Sequence, residues 1–128
     1  MATRSAIGYL TETETVVGVY CHWDGYVKGG VGQMLHENYN SESKIQELLA
    51  LGYISSLCES IDATEAERVH KNYTPNKFPD IEDFEDFYSN VDYYYIYDSV
   101  EEVWKYKRAG DEYYHRLTEV FGVFAEAY

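Results

Sequence analysis

Cationic side chains are scarce in this chain. Ten Lys and Arg stand against 23 Asp and Glu, a formal net charge of −13 over 128 residues. A surface of that sign repels duplex phosphate, whose binding needs clustered Lys and Arg, and anionic membrane surfaces. Direct nucleic-acid binding and membrane attachment are therefore not expected. Cysteine is also sparse: Cys21 and Cys58 are the only two, neither lies in a CxxC pair, and they make no disulfide framework of the secreted kind. No apolar run approaches the ~20 residues that span a bilayer. The opening Met1-Ala2-Thr3-Arg4-Ser5 leads into strand-like sequence without the pattern of a secretory leader. Together these absences give the expectation of a soluble protein in a reducing compartment.

What is abundant is aromatic. Phe, Trp and Tyr make up 17% of the residues, 15 of them tyrosine, within a hydrophobic share of 45%. That is enough for one core in one domain spanning residues 1–128. Tyrosine pairs an apolar ring with a hydroxyl that needs a partner, so it suits core margins and contact surfaces. The negative charge is uneven. Residues 1–77 hold six Lys/Arg against ten Asp/Glu, a net of −4, whereas residues 78–128 hold four against thirteen, a net of −9. Attraction to a basic protein surface is compatible with this balance, and electrostatic steering would assist it.

Along the chain, residues 5–10 and the β-branched, aromatic run 16–23 read as an antiparallel hairpin. Asp24-Gly25 is a turn signal. Val31, Met34, Leu35 and Tyr39 recur at helical spacing, and residues 43–51 form the clearest helix, with Ile45, Leu48 and Leu49 on one face and Gly52 ending it. Asp62-Ala63-Thr64-Glu65 has the form of a capping box for a short helix running to residue 71. Residues 72–79 carry both prolines and read as a loop. Asp80 caps a helix in which Ile81, Phe84 and Phe87/Tyr88 share a face. Residues 93–97 are strand material. The stretch after them reads either as a helix from Ser99 or as a return strand over 103–107, and the alternation of Trp104/Tyr106 against Val103/Lys105/Lys107 favours the strand. A final helix is expected over 111–125, with a stripe from Tyr114, Leu117, Val120/Phe121 and Phe124. The result is an α+β fold: a mostly antiparallel sheet from two hairpins, with helices packed on one face.

The stretch richest in chemistry is Tyr20-Cys21-His22-Trp23-Asp24-Gly25-Tyr26, followed by Gly29-Gly30-x-Gly32. Strand alternation places Tyr20, His22 and Asp24 on one face and Cys21 and Trp23 on the other. Cys21 and His22 thus stand back to back and do not form a nucleophile–base pair, although His36, His70 or His115 could meet the thiol in space. The alternative is a buried thiol acting as a small hydrophobe. His22 and Asp24 could orient an imidazole or give two metal ligands, but no compact spacing supplies the others, so no metal is expected. The bland reading is a hydrogen bond that fixes the strand end. The glycines before a helix invite an anion-binding reading, yet they match neither the dinucleotide fingerprint nor the Walker pattern, and Lys28 is their only cation. No cofactor is expected. Residues 80–86 hold five acids among seven without the central glycine of a calcium loop. They read as a solvated helix face or as a partner-facing acidic ridge, of which carboxylates imitating phosphates would be one version.

Several motifs together carry a resemblance: Met1-Ala2-Thr3-Arg4-Ser5-x-Ile7, Tyr20-Cys21-His22-Trp23-Asp24-Gly25-Tyr26, Gly30-Val31-Gly32, Leu35-x-Glu37-x-Tyr39, and Leu49-Ala50-Leu51-Gly52-x-Ile54-Ser55-x-Leu57. The pattern resembles a family of small proteins common in tailed bacteriophages. It covers residues 1–57. It departs at Val27, where the family often has proline, and at Tyr53, where aspartate is usual after the glycine. The resemblance implies context and no activity: a phage product in the host bacterial cytoplasm, of a kind that often binds and redirects or blocks host proteins, defence enzymes included.

The leading expectation is a non-enzymatic accessory protein that binds a host or viral protein with a basic surface. Asp83, Glu85 and Asp86 would form its acidic ridge, and Tyr93, Tyr95 and Tyr97 a less polar anchor beside it. The alternative is a small-ligand (nucleotide-like) binding protein or hydrolase whose pocket is built from Arg4, His22, Trp23, Asp24 and Tyr26. A virion structural component is a third reading.

Overall fold

The computed structural model describes residues 2–68 and 72–122. Its centre is a seven-stranded mixed sheet. Strands β1 (Ser5–Leu10) and β2 (Val16–Cys21) form the first hairpin, registered Ser5 to Cys21 and Leu10 to Val16. The tight connection is closed by the Thr11 N–H donating to the Thr15 carbonyl at 2.9 Å. Strands β5 (Tyr93–Asp98) and β6 (Val103–Arg108) form the second, registered Tyr93 to Arg108 and Asp98 to Val103. The two hairpins join through β1 and β5, which run parallel. The short strand β3 (Tyr53–Ile54) lies parallel to the end of β2. Strand β4 (Asn76–Phe78), inside the proline loop, lies antiparallel to the start of β2. Strand β7 (His115–Arg116) closes the far edge on β6. The sheet is thus mostly, not wholly, antiparallel.

Side-chain alternation sorts the strands onto two buried faces. Ile7, Val19, Cys21, Tyr95, Tyr97 and Trp104 point to one. Covering it are α1 (Val31–Asn38), α2 (Glu42–Leu49), α3 (Ile61–Ala66) and α5 (Thr118–Phe121). Leu35, Tyr39, Ile45 and Leu48 complete this core at essentially zero exposure. The α2 helix starts where Ser41 accepts the Lys44 N–H, and Gly52 ends the segment with φ +77°. The cap of α3 is Ser60, which accepts the Ala63 N–H at 3.1 Å. The cap therefore lies two residues before the Asp62-x-x-Glu65 signal, which falls inside the helix, and the helix ends at Ala66 instead of running on to residue 71.

Helix α4 (Ile81–Phe87) is the exception to helices on one face: it packs on the opposite side, where Phe84 and Tyr88 meet Ala6, Val16, Tyr94 and Ile96. Two glycines make room for it. Gly8 and Gly18 are register partners on adjacent strands, and a Cβ on Gly18 would stand 2.6 Å from the Phe84 ring. The pair forms a notch in the sheet into which that ring fits. As the sequence suggests, Asp80 caps α4, accepting the Asp83 N–H at 2.8 Å.

The expected helix over 111–125 is corrected. Gly110 turns the chain with φ +94°, residues 115–116 pair with β6 as β7, and only Thr118–Phe121 is helical. Residues 123–125 lie outside the described residues. Apolar spacing at three to four is satisfied here by a short strand and a helical turn in succession, because the open edge of β6 offers backbone partners that a helix would leave unused.

Candidate functional site

Strand β2 delivers the aromatic motif, and β3 fixes its end. The His22 and Trp23 N–H groups donate to the Ile54 and Ser55 carbonyls, each at 3.0 Å, which carries the parallel pairing two residues beyond the strand. Tyr20 and His22 share a face, as expected. The Tyr20 hydroxyl and His22 Nδ1 lie 2.8 Å apart in a hydrogen bond. Asp24 leaves that face: its φ is +57°, and its carboxylate accepts from the Tyr26 hydroxyl at 3.2 Å. The expected His22/Asp24 pairing is thus replaced by Tyr20/His22 and Asp24/Tyr26. Arg4 comes close to this strand. Its guanidinium lies by the Tyr20 hydroxyl and offsets part of the upward push that burial gives the phenol.

Cys21 is fully buried among apolar side chains, with its thiol donating to the Trp23 carbonyl at 3.7 Å. Burial pushes the thiol up to about 12, so the thiolate needed for nucleophilic or metal chemistry is disfavoured. The glycine segment is packed rather than open. The first N–H groups of α1, from Val31, Gly32, Gln33 and Met34, donate to the carbonyls of Asp24, Tyr26, Val27 and Gly30. Those are the groups an anion would need. The Gly25 carbonyl accepts the Tyr95 hydroxyl at 2.6 Å. Among the described residues no group of three or more His, Cys, Asp or Glu is placed to hold a metal ion, and no helix is long and apolar enough to cross a membrane.

The motif's rings continue into a series that sequence reasoning missed. Trp23 meets His22 edge-on at 4.6 Å, His22 lies 5.9 Å from Tyr20, Tyr20 lies 5.8 Å from Tyr53, and Tyr53 stacks on Tyr73 at 5.6 Å and 27°. Three separate chain segments supply these five rings. Of the five, Tyr20, Tyr53 and Tyr73 line a cleft of about 500 Å³ together with Phe87 and Tyr88 at the end of α4 and Asn76 of β4. Phe87 and Tyr88 meet edge-on at 4.9 Å. Gly52 makes the cleft possible. Its positive φ and missing side chain let the Tyr73 carbonyl lie against it, where any Cβ would collide. Three large rings here stay exposed, Trp23 at 44%, Tyr73 at 55% and Phe87 at 61%.

Helix α4 joins the acidic ridge to this cleft. Glu82, Asp83 and Asp86 are exposed, and Asp83 stands one helical turn before Phe87, on the same face. Glu85 does not belong to the ridge. Its carboxylate takes the Lys107 ammonium at 2.9 Å and the Tyr114 hydroxyl at 2.7 Å, and its backbone carbonyl accepts the Tyr94 hydroxyl at 3.1 Å. Lys107 is itself buried and lies over the Tyr94 and Tyr114 rings. Glu85 is therefore the clasp that holds α4 to the sheet.

The tyrosine anchor expected at residues 93–97 is also corrected. Tyr95 is 0% and Tyr97 4% exposed, because β5 is a central strand covered on both faces. Tyr93 is half-buried, its ring 6.0 Å from the Arg108 guanidinium. The rings beside the acidic helix that do reach the surface are Phe87 and Tyr73. No family model, curated protein or solved structure matches the chain.

Proposed function

We propose that this chain is a non-enzymatic binding protein whose partner is a protein with a basic surface. The observation that carries the reading is the juxtaposition on α4: exposed carboxylates at Glu82, Asp83 and Asp86 share a short helix with Phe87, an exposed ring on the wall of an aromatic cleft. An apolar aromatic centre with a charged rim is the usual anatomy of a protein interface. The net charge of −13 gives the rim one sign and so selects a cationic partner. The reactive groups of the motif support the same reading, since Cys21 is buried and His22 is committed to Tyr20. The bacteriophage resemblance of residues 1–57 adds the setting: an accessory factor in the host bacterial cytoplasm that modulates or inhibits a host protein.

The test compares two baits, the wild type and the triple variant Glu82→Lys, Asp83→Lys, Asp86→Lys, in lysates of infected and uninfected bacteria. A protein of basic surface is expected on the wild-type bait at low salt and not on the variant. Equal retention by both baits would refute the ridge.

One observation favours a second reading, a small-ligand site. The cleft has the volume of a ligand pocket, and Tyr20, in its lining, is bonded to His22 and neighboured by Arg4. Thermal stabilisation of the wild type by a nucleotide in a ligand screen is what this second reading requires.

A further inference from the structure

We propose that the aromatic cleft between β3 and α4 is an arginine receptor: a guanidinium from the partner's surface enters it, stacking between the Tyr53/Tyr73 wall and the Phe87 wall. The inference rests on the basic-partner reading above and names the side chain that the site selects.

Three features point to a planar cation. Four aromatic side chains, Tyr53, Tyr73, Phe87 and Tyr88, are in the cleft's lining, and aromatic rings attract cations electrostatically. Carboxylates are close by, because one wall belongs to α4, whose exposed Asp83 lies one turn before Phe87 on the same face. The polar lining offers acceptors. Asn76 donates its amide N–H to the Tyr88 hydroxyl at 3.1 Å, which leaves its carbonyl oxygen for an incoming donor, and the Thr74 hydroxyl oxygen is a second acceptor. No Lys or Arg is among the described lining residues. Of the described cations near the cleft, Arg4 is at the Tyr20 end, and Arg68 is held by the Leu51 carbonyl and the Glu65 carboxylate.

Arginine fits better than lysine. Its guanidinium is flat, weakly hydrated and rich in donors, so it can stack and still bond to Asn76, whereas an ammonium loses more hydration on entering a slot of rings. The cleft, at about 500 Å³, also has room for the backbone on either side of the arginine, as docking a surface loop demands.

The experiment uses the whole protein and three capped pentapeptides, Gly-Gly-X-Gly-Gly, in which X is arginine, lysine or citrulline, the last having arginine's shape without its charge. Side-chain resonances of Tyr53, Tyr73 and Phe87 are followed by NMR during titration. The arginine peptide is expected to shift all three saturably, the lysine peptide to bind several-fold more weakly, and the citrulline peptide to give no saturable shift. Phe87→Ala is expected to weaken the arginine peptide about tenfold, and Phe87→Leu, which keeps apolar bulk without a π-face, nearly as much. Phe87 is exposed, so both variants keep the fold, and unchanged amide shifts of β5 will show it.

A response confined to α4 amides, equal for lysine and arginine and unaffected by Phe87→Leu, would overturn the receptor while leaving the acidic-ridge reading standing. Loss of the basic partner from the triple-variant bait, with partner binding unchanged in Phe87→Ala, would do the same. Absence of any response to either cationic peptide would overturn the receptor and count against the ridge as well. Adenosine displacing the arginine peptide and shifting the same rings more strongly would overturn it in favour of a neutral planar ligand.

Discussion

Two acids two residues apart on α4 have opposite roles, and charge reversal separates them. Glu85→Lys replaces a carboxylate that takes an ammonium at 2.9 Å and a phenol at 2.7 Å. The side chains of the Lys107–Glu85 pair are only 10% and 23% exposed, so solvent does little to soften the loss. The variant leaves Lys107 buried without its partner, sets a second ammonium against it, and orphans the Tyr114 hydroxyl. Breaking one side of a buried pair costs about 3–5 kcal/mol, and this substitution lies at the upper end. Asp83→Lys removes an exposed carboxylate from the first turn of a short helix. There the helix dipole favours an acid by about 0.3–1 kcal/mol, and surface pairing contributes little more. The assay is urea unfolding of each single variant followed by tryptophan fluorescence, since the buried Trp104 reports the main core. Glu85→Lys is expected to lose roughly a third or more of a typical domain's stability, whereas Asp83→Lys stays within about 1 kcal/mol. Amide exchange in α4 should rise in Glu85→Lys alone if the clasp holds that helix locally. A Glu85→Lys protein as stable as wild type, or an Asp83→Lys protein equally damaged, would refute the division of α4 into a clasp and a ridge.

Other consequences follow from the same packing. Gly18→Ala drives a methyl to 2.6 Å from the fully buried Phe84 ring, and overpacking of this kind costs about 1–3 kcal/mol, to be read as a lowered melting temperature. Asp98 is destabilised as an anion by burial, but the Glu101 and Val100 N–H groups and the Lys105 ammonium outweigh this and hold its carboxyl below the usual value of 3.8. A folded-state pKa below the unfolded one stabilises the fold above the ordinary carboxylate range, and that contribution is lost as pH falls through the folded value. Urea midpoints between pH 6 and 2 should therefore show a steeper acid decline in wild type than in Asp98→Asn. Cys21, with its thiol pushed up to about 12, should resist a thiol-reactive disulfide at pH 8 until urea unfolds the chain. Fast labelling of Cys21 in the folded protein would contradict its place in the core.

Both hairpins were legible because alternation and β-branching act locally. Val16 to Cys21 and the 103–108 run sort their side chains by themselves, and the paired register follows from the turns. What local pattern could not reveal is how distant segments meet. Gly8 and Gly18 each look like weak points in a strand, and only their pairing across the hairpin creates the notch that draws α4 to the second face. Once α4 lies there, Glu85 is directed at Lys107 and Tyr114, and the acidic run ceases to be one surface. The tyrosines of β5 read as contact residues because hydroxyls suggest water. In the fold those of Tyr94 and Tyr95 find backbone carbonyls instead, at Tyr88 and Gly25. The aromatic cleft was half visible. His22 and Trp23 marked one end of its ring series, but Tyr53, Tyr73 and Phe87 come from segments that only the parallel addition of β3 and the docking of α4 bring together. Among them Phe87 left the plainest trace, an apolar residue at the end of an acidic helix on which Tyr88 already fills the inward position.

The central claim, that the exposed carboxylates of α4 recruit a cationic partner, is tested most directly by association kinetics with the purified partner. Wild type and the Glu82→Lys, Asp83→Lys, Asp86→Lys variant are compared at low ionic strength and at physiological ionic strength, where exposed charges are screened beyond ~8 Å. Glu85 is left intact so that folding is not perturbed. The account predicts an association rate that falls steeply with salt in wild type, is at least tenfold lower in the variant at low salt, and is nearly salt-independent there. Equal rates for the two proteins at low salt would contradict it.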